Sequence, residues 1–227
     1  MGNQTKLILG LLASCLTSGA IAADVPASYA PPPAVTTSLP FFVHIGPGGI
    51  FLNESAKVSL LGAGVPGASV RVASQLTAAV EVGYFITPEI AVSATGGFPP
   101  TVDFMGRGTV AGLGRLGTAT YGPAVLTASY HFKGFGKFQP YVGAGPTFLI
   151  IFGQKDGALT NLKVNNSVGF AGQIGANYMF DEKWGMFVDV KKAYLRTTAT
   201  GLLGGAATKS DVKLDPLVVH TGLTYRF

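Results

Sequence analysis

The chain has 227 residues, 48% of them apolar and only 12% charged, about half the ~25% usual for a soluble domain. Mean hydropathy of +0.40 excludes a disordered chain, which needs low hydrophobicity and high net charge, and it argues against a soluble enzyme. The formal charge of +5 does not point to nucleic acid, because the basic residues are scattered singly with no run denser than Lys191-Lys192.

Residues 1–22 read as a signal peptide. Lys6 supplies the positive start, Leu7 to Leu12 an apolar stretch too short to span a bilayer, and Ala20-Ile21-Ala22 a cleavage site, with cutting after Ala22 or Ala23. Leu12-Ala13-Ser14-Cys15 also resembles a lipobox, which would lipidate Cys15. Simple cleavage leaves a mature chain without cysteine, as suits an exported protein lacking disulfides. Residues 23–40, with Pro31-Pro32-Pro33, read as an extended periplasmic lead-in.

From residue 41 to residue 227 no apolar run reaches the ~18 residues of a helical span. A chain can also cross lipid as a closed barrel, whose signature is segments of roughly ten residues with alternating polarity. Eight such segments occur, at about 41–52, 75–86, 90–99, 119–132, 138–152, 168–180, 184–196 and 212–227. The fold class expected is all-β: an eight-stranded antiparallel transmembrane β-barrel with short periplasmic turns and four longer extracellular loops. Pro47-Gly48-Gly49 predicts a bulge or kink in the first strand.

Charge decides which face meets lipid. In the second segment Leu76, Ala78, Val80, Val82, Tyr84 and Ile86 share one face, and Glu81 lies on the other. In the seventh, Trp184, Met186, Val188 and Val190 oppose Asp189 and Lys191. A lysine on the lipid face near the midplane costs ~2–4 kcal/mol, so Glu81, Asp189 and Lys191 point inward. Thr87-Pro88-Glu89, Lys133 to Lys137 and Asp181-Glu182-Lys183 are short connections, which places them in the periplasm. Residues 53–74, 100–118, 153–167 and 197–211 are the expected outer loops. Tyr84, Phe85, Phe132, Phe135, Phe138, Tyr178, Phe180 and Trp184 cluster beside the short turns as an aromatic girdle.

In the last segment Val219, Leu223, Tyr225 and Phe227 share a face. Leu223, Tyr225 and Phe227 resemble the assembly signal by which outer-membrane barrels engage the barrel assembly machinery. The chain is also similar to the outer membrane protein W (OmpW) family over roughly residues 41 to 227. The block Gly136-Lys137-Phe138-Gln139-Pro140-Tyr141-Val142-Gly143-Ala144-Gly145 is the most specific part of that resemblance. Support comes from Gly83 to Glu89, Phe170 to Gly175, Asp181 to Gly185, and Lys213-Leu214-Asp215-Pro216 running to Tyr225-Arg226-Phe227. The sequence departs from the family pattern in its first strand and in Gly106 to Gly117. The resemblance implies a narrow, largely apolar lumen in a Gram-negative outer membrane. It also implies inward passage of small hydrophobic compounds, with sideways exit through a gap in the wall.

An eight-stranded barrel is just wide enough for its side chains to fill it, so inward size and charge decide between plug and pore. The inward set is mostly small (Thr77, Ala79, Gly83, Ser93, Gly143, Gly175 and others), which predicts open volume. Leu149 and Ile151 make the outer lumen apolar, while Glu81, Asp189, Lys191 and Arg226, with His44, His131 and His220, are its ionisable groups. Two readings stand: a constricted passage with a charged cluster deeper in, or the same cluster closing the floor through ion pairs.

Catalysis at the outer rim would need a nucleophile with a base, usually Ser with His. None of the four long loops carries histidine, and His44, His131 and His220 have no metal-ligand spacing. No enzyme, cofactor or metal is expected. The outer loops carry Lys57, Arg71, Arg107, Arg115, Lys155, Lys163, Arg196 and Lys209 against Glu54, Asp103, Asp156 and Asp211. That surplus faces lipid phosphates, so outer-membrane lipid and lipopolysaccharide are expected partners beside small hydrophobic solutes. The alternative to a channel is a structural, lipopolysaccharide-binding barrel.

Overall fold

A computed structural model describes residues 40–52 and 55–227. The expected signal peptide, Cys15 and nearly all of the expected lead-in lie outside the described residues. Fifteen strands follow one another among those residues. They are β1 (Phe41–Phe51), β2 (Ser55–Leu60), β3 (Ala63–Gly64), β4 (Ala68–Val72), β5 (Gln75–Phe85), β6 (Ile90–Gly97), β7 (Thr101–Gly108) and β8 (Arg115–His131). After a turn come β9 (Phe138–Asp156), β10 (Leu159–Val164), β11 (Ser167–Met179), β12 (Trp184–Tyr194), β13 (Arg196–Leu203), β14 (Ala206–Lys213) and β15 (Leu217–Arg226).

Eight of them close a ring in the order β1-β5-β6-β8-β9-β11-β12-β15, with β15 returning to β1 and every neighbour antiparallel. Closure leaves the ring without a free edge, so its backbone groups pair between adjacent strands, as a hydrocarbon solvent demands. The outward rows are apolar. β12 carries exposed aromatics at both ends, Trp184 and Tyr194, with Met186 and Val188 between them. Its ten steps of about 3.3 Å, tilted about 40°, rise about 25 Å, the height of an outer-membrane apolar band. Asp181 shapes the turn before it: its Oδ1 accepts the N–H groups of Lys183 and Trp184, each at 2.7 Å. Those bonds hold its carboxyl below the ordinary range.

The structure differs from the sequence expectations in three respects. First, β1 has no bulge. Its register with β15 is the same on both sides of Pro47, from Ile45↔Leu223 to Gly48↔His220, and its pairing with β5 is unbroken. The proline omits ladder bonds to β15 without inserting a residue. Second, the four outer segments are mostly strands. β2, β3, β10, β13 and β14 form a five-stranded sheet, while β4, β7 and the outer ends of β8 and β9 form a second wall. Both walls stand above the barrel. Third, the small inward residues do not leave an open passage in the inner half. A Cβ at Gly83 would lie 2.1 Å from the Phe42 ring, and one at Gly175 would lie 2.5 Å from the Tyr141 ring. The absent side chains make room for aromatic ones. Phe85 also leaves the expected girdle, turning inward to meet Phe42 at 5.3 Å and His131 at 4.8 Å.

Candidate functional site

The polarity of the strands inverts on leaving the membrane. In the barrel the apolar row faces out. In the two outer walls the triplets Val70-Arg71-Val72, Val102-Asp103-Phe104, Leu162-Lys163-Val164 and Val212-Lys213-Leu214 turn their apolar members inward and their charges to water. The solvent on the outside has changed from lipid to water, and the alternation follows it.

The inward apolar residues of both walls enclose a chamber. Val72, Val102, Tyr121 and Leu149 pack with Leu195, Val212 and Leu214 in one buried cluster. Ala119, Leu162 and Val164 form a second cluster beside it, with Ile151 touching both. The cavity between them measures about 60 Å³. A dry apolar cavity of about 150 Å³ holds benzene, so an aromatic solute enters this one only if the walls part. Leu149 and Ile151 therefore line the chamber, together with residues from segments expected to be loops.

Below the chamber the chemistry changes abruptly. Lys191 Nζ lies 2.9 Å from Glu81 Oε2 and 2.6 Å from Asp189 Oδ1. Asp189 Oδ2 also accepts from the Tyr141 hydroxyl at 3.0 Å and from Gln173 Nε2 at 2.6 Å. His44 Nδ1 stands 3.8 Å from Glu81 Oε2, and its ring stacks on Phe187 at 4.2 Å. Lys191 and Glu81 are each 1% exposed and Asp189 is fully buried, so no solvent path runs between these side chains. Removing Lys191 would leave two buried carboxylates without their cation, which costs more than the pairs contribute.

His220 stands beside the cluster, opposite Asp189 on the neighbouring strand, with Nε2 3.2 Å from the Ala79 carbonyl. Nearer the periplasm the lumen stays filled: His131 Nε2 lies 3.1 Å from Ser129 Oγ while its ring stacks on Tyr141. Arg226 donates from Nη2 to Gln139 Oε1 and lies over the Phe85 ring. It sits at the barrel's inner end, apart from the Lys191 cluster. Leu223 and Phe227 are exposed on the outer surface, and the Phe227 ring stacks with Phe41 at 5.7 Å and with Tyr225 at 5.9 Å.

Sequence reasoning missed Tyr141, Gln173 and Phe42, whose inward parity was readable but whose size was overlooked beside the glycines. It also missed the chamber walls, although the four apolar–charged–apolar triplets carried the signal.

The wall itself has a seam. The β9–β11 ladder climbs to Leu149↔Ser167 and stops, and no ladder joins β9 to β10 above it. Side chains take its place. Asn166 Oδ1 accepts from Ile151 N at 2.8 Å, and Gln154 Oε1 accepts from Val164 N at 2.7 Å. Asp156 accepts from Asn161 N and Leu162 N, both at 2.9 Å. The register of β8 and β9 shifts here, between Thr120↔Gly153 and Tyr121↔Ile151, which leaves Phe152 as a bulged residue. Bulges concentrate at barrel rims and re-aim side chains. Phe152 points outward at 62% exposure, near exposed Ile150 and Val168, so the lower end of the seam presents an apolar outer face.

The family model for OmpW matches residues 39–227. The chain belongs to the OmpW family. The dibenzothiophene metabolism operon protein PahQ of Pseudomonas aeruginosa is 34% identical over 188 residues, covering 83% of this chain and 89% of that one. Outer membrane protein AlkL of Ectopseudomonas oleovorans is 30% identical over 175 residues, 77% of this chain and 76% of that one. A solid-state NMR structure of AlkL in DMPC lipid bilayers superposes with a TM-score of 0.66 at 28% identity, covering 84% and 91%. The crystal structure of OprG from Pseudomonas aeruginosa superposes with a TM-score of 0.78 at 25% identity, covering 82% of this chain and 95% of OprG. This OmpW-family member is an outer-membrane β-barrel.

Proposed function

We propose that this barrel carries small hydrophobic solutes across the outer membrane, taking them from outside into the apolar chamber and releasing them sideways through the β9–β10 seam. The observation that carries this reading is the contrast along one axis: an apolar chamber directly above a floor of buried, paired charges. An apolar molecule gains by entering the chamber and would lose by displacing the Lys191–Glu81–Asp189 contacts beneath it. In this reading the cluster closes the floor instead of gating a pore. The seam offers the other way out. It is held by four side-chain-to-backbone hydrogen bonds, two to neutral amides worth about 0.5–1.5 kcal/mol each and two to the Asp156 carboxylate worth about 1.5–3 kcal/mol each, and it opens beside Phe152 onto lipid. The operon name of PahQ supports an apolar aromatic cargo.

Uptake in intact cells tests the reading. Deleting the gene should slow entry of an apolar compound such as toluene, and restoring it should recover the rate. Equal rates with and without the protein would leave only the structural reading.

Contact with lipopolysaccharide is a second reading, compatible with the first. Lys57, Arg196 and Lys213 surround a hollow on the outer face of the five-stranded sheet, with Asn165 and Asp211, and cations there face lipid phosphates. Replacing all three with Gln should lower co-purifying lipopolysaccharide, and an unchanged amount would remove this contact. We also propose that the outward row of Leu223 and Tyr225 on β15, with Phe227 just beyond it, is read by the barrel assembly machinery. Phe227→Ala should then slow membrane insertion more than Phe41→Ala, which loses the same ring contact without touching the row.

A further inference from the structure

The chamber is apolar except for three hydroxyl side chains: Tyr121, Thr197 and Ser210. Thr197 is satisfied, donating to the Asn165 carbonyl at 2.7 Å. Tyr121 and Ser210 are not. Each is 8% exposed, and neither the Tyr121 hydroxyl nor Ser210 Oγ has a hydrogen-bond partner among the described residues. They stand on different walls, Tyr121 on β8 and Ser210 on β14. The floor beneath also keeps buried polar atoms without a partner, Gln173 Oε1 and Thr224 Oγ1 among them, but of all such atoms among the described residues only those of Tyr121 and Ser210 belong to residues lining the chamber.

A buried hydroxyl without a partner costs free energy that phenylalanine or alanine at the same site would not. Both hydroxyls can donate and accept, so a solute bearing a single hydroxyl can satisfy either one while its apolar body lies between the parted walls. A pure hydrocarbon leaves both unsatisfied. Sites that hydrogen-bond a ligand hydroxyl discriminate against the analogue lacking it far better than apolar pockets discriminate a methylene.

We infer that the chamber selects apolar molecules carrying one hydroxyl group, such as a phenol, over hydrocarbons of the same size, with Tyr121 and Ser210 as the selecting residues. The inference rests on the carrier reading above and names its cargo more closely.

The test measures uptake of labelled p-cresol and toluene by cells expressing wild-type protein, Tyr121→Phe, Ser210→Ala, the double variant, or no protein. Both exchanges nearly conserve volume. The wild type should accelerate both probes over cells without the protein. The p-cresol-to-toluene ratio of the protein-dependent rates should fall roughly threefold to tenfold in the double variant, the loss expected for one or two hydrogen bonds. An unchanged ratio, with the wild type still carrying both probes, overturns the selectivity while leaving the carrier reading in place. Two rates falling in equal proportion would mean that the hydroxyls hold the chamber's shape, which also overturns it. If the wild type accelerates neither probe, the carrier reading fails and takes this inference with it.

Discussion

The inner barrel and the outer walls use the same β-strand alternation with opposite sign. In the barrel, Val80, Val82 and Tyr84 face lipid while Glu81 lies buried within. In the walls, Arg71 and Lys163 face water while Val70, Val72, Leu162 and Val164 face the chamber. A strand has no preference for which face is apolar; the surrounding solvent sets it. The passages from β12 to β13 and from β14 to β15 cross the boundary with unbroken inward parity. At Ala73-Ser74, Phe98-Pro99-Pro100 and Asn165-Asn166 the parity shifts by one residue. The chamber and the charged floor therefore arise from one set of strands crossing from lipid into water.

The largest expected effect breaks the floor. Lys191→Met leaves Glu81 and Asp189 without their ammonium partner and should destabilise the folded barrel by about 3–5 kcal/mol. Urea unfolding in lipid vesicles reads this directly. Adding Glu81→Gln and Asp189→Asn should restore most of the loss, because the cost lies in the uncompensated charges.

Next comes an exchange across the boundary. Val188 is 50% exposed near the middle of β12, and Val188→Arg should cost about 2–4 kcal/mol by the same measurement. Lys163→Val, on the water-facing side of β10, should change stability by less than about 0.5 kcal/mol. Equal effects at the two positions would mean that the two regions share one solvent.

A smaller loss follows from Gly83→Ala. Its methyl would meet the Phe42 ring and force repacking at about 1–3 kcal/mol. Gly83→Ala combined with Phe42→Leu should then be milder than the two single costs summed.

The smallest effect concerns pH. The N–H groups of Trp184 and Lys183 hold the Asp181 carboxyl below its ordinary range. Its contribution is therefore present at neutral pH and is lost as pH falls through the lowered folded value. Asp181→Asn should slightly flatten the acid limb of the stability profile, and a steeper limb would reverse the assignment.

The barrel was legible in the sequence because lipid tolerates no buried polar compromise. Glu81, Asp189 and Lys191 each fixed a face, and the short turns at Pro88, Gly134 and Glu182 fixed the order. The outer walls were not legible as strands, since they are short, carry water-facing charges and shift parity at their lower ends. Leu149 and Ile151 pointed to an apolar outer half, but their partners Val72, Val102 and Leu162 lay in segments that charge and glycine made look like loops. The lumen misled for a different reason. Gly83 and Gly175 signal a close approach, and from sequence alone that approach cannot be told from empty space.

Sideways release through the β9–β10 seam is the central claim, and a reducible tether across it is the most direct test. Gln154 and Lys163 both border the groove beside Phe152. Gln154→Cys/Lys163→Cys joined by a short cleavable bis-thiol reagent should bring toluene uptake down to the level of cells without the protein, with recovery after reduction. Undiminished uptake with the tether in place would contradict the account.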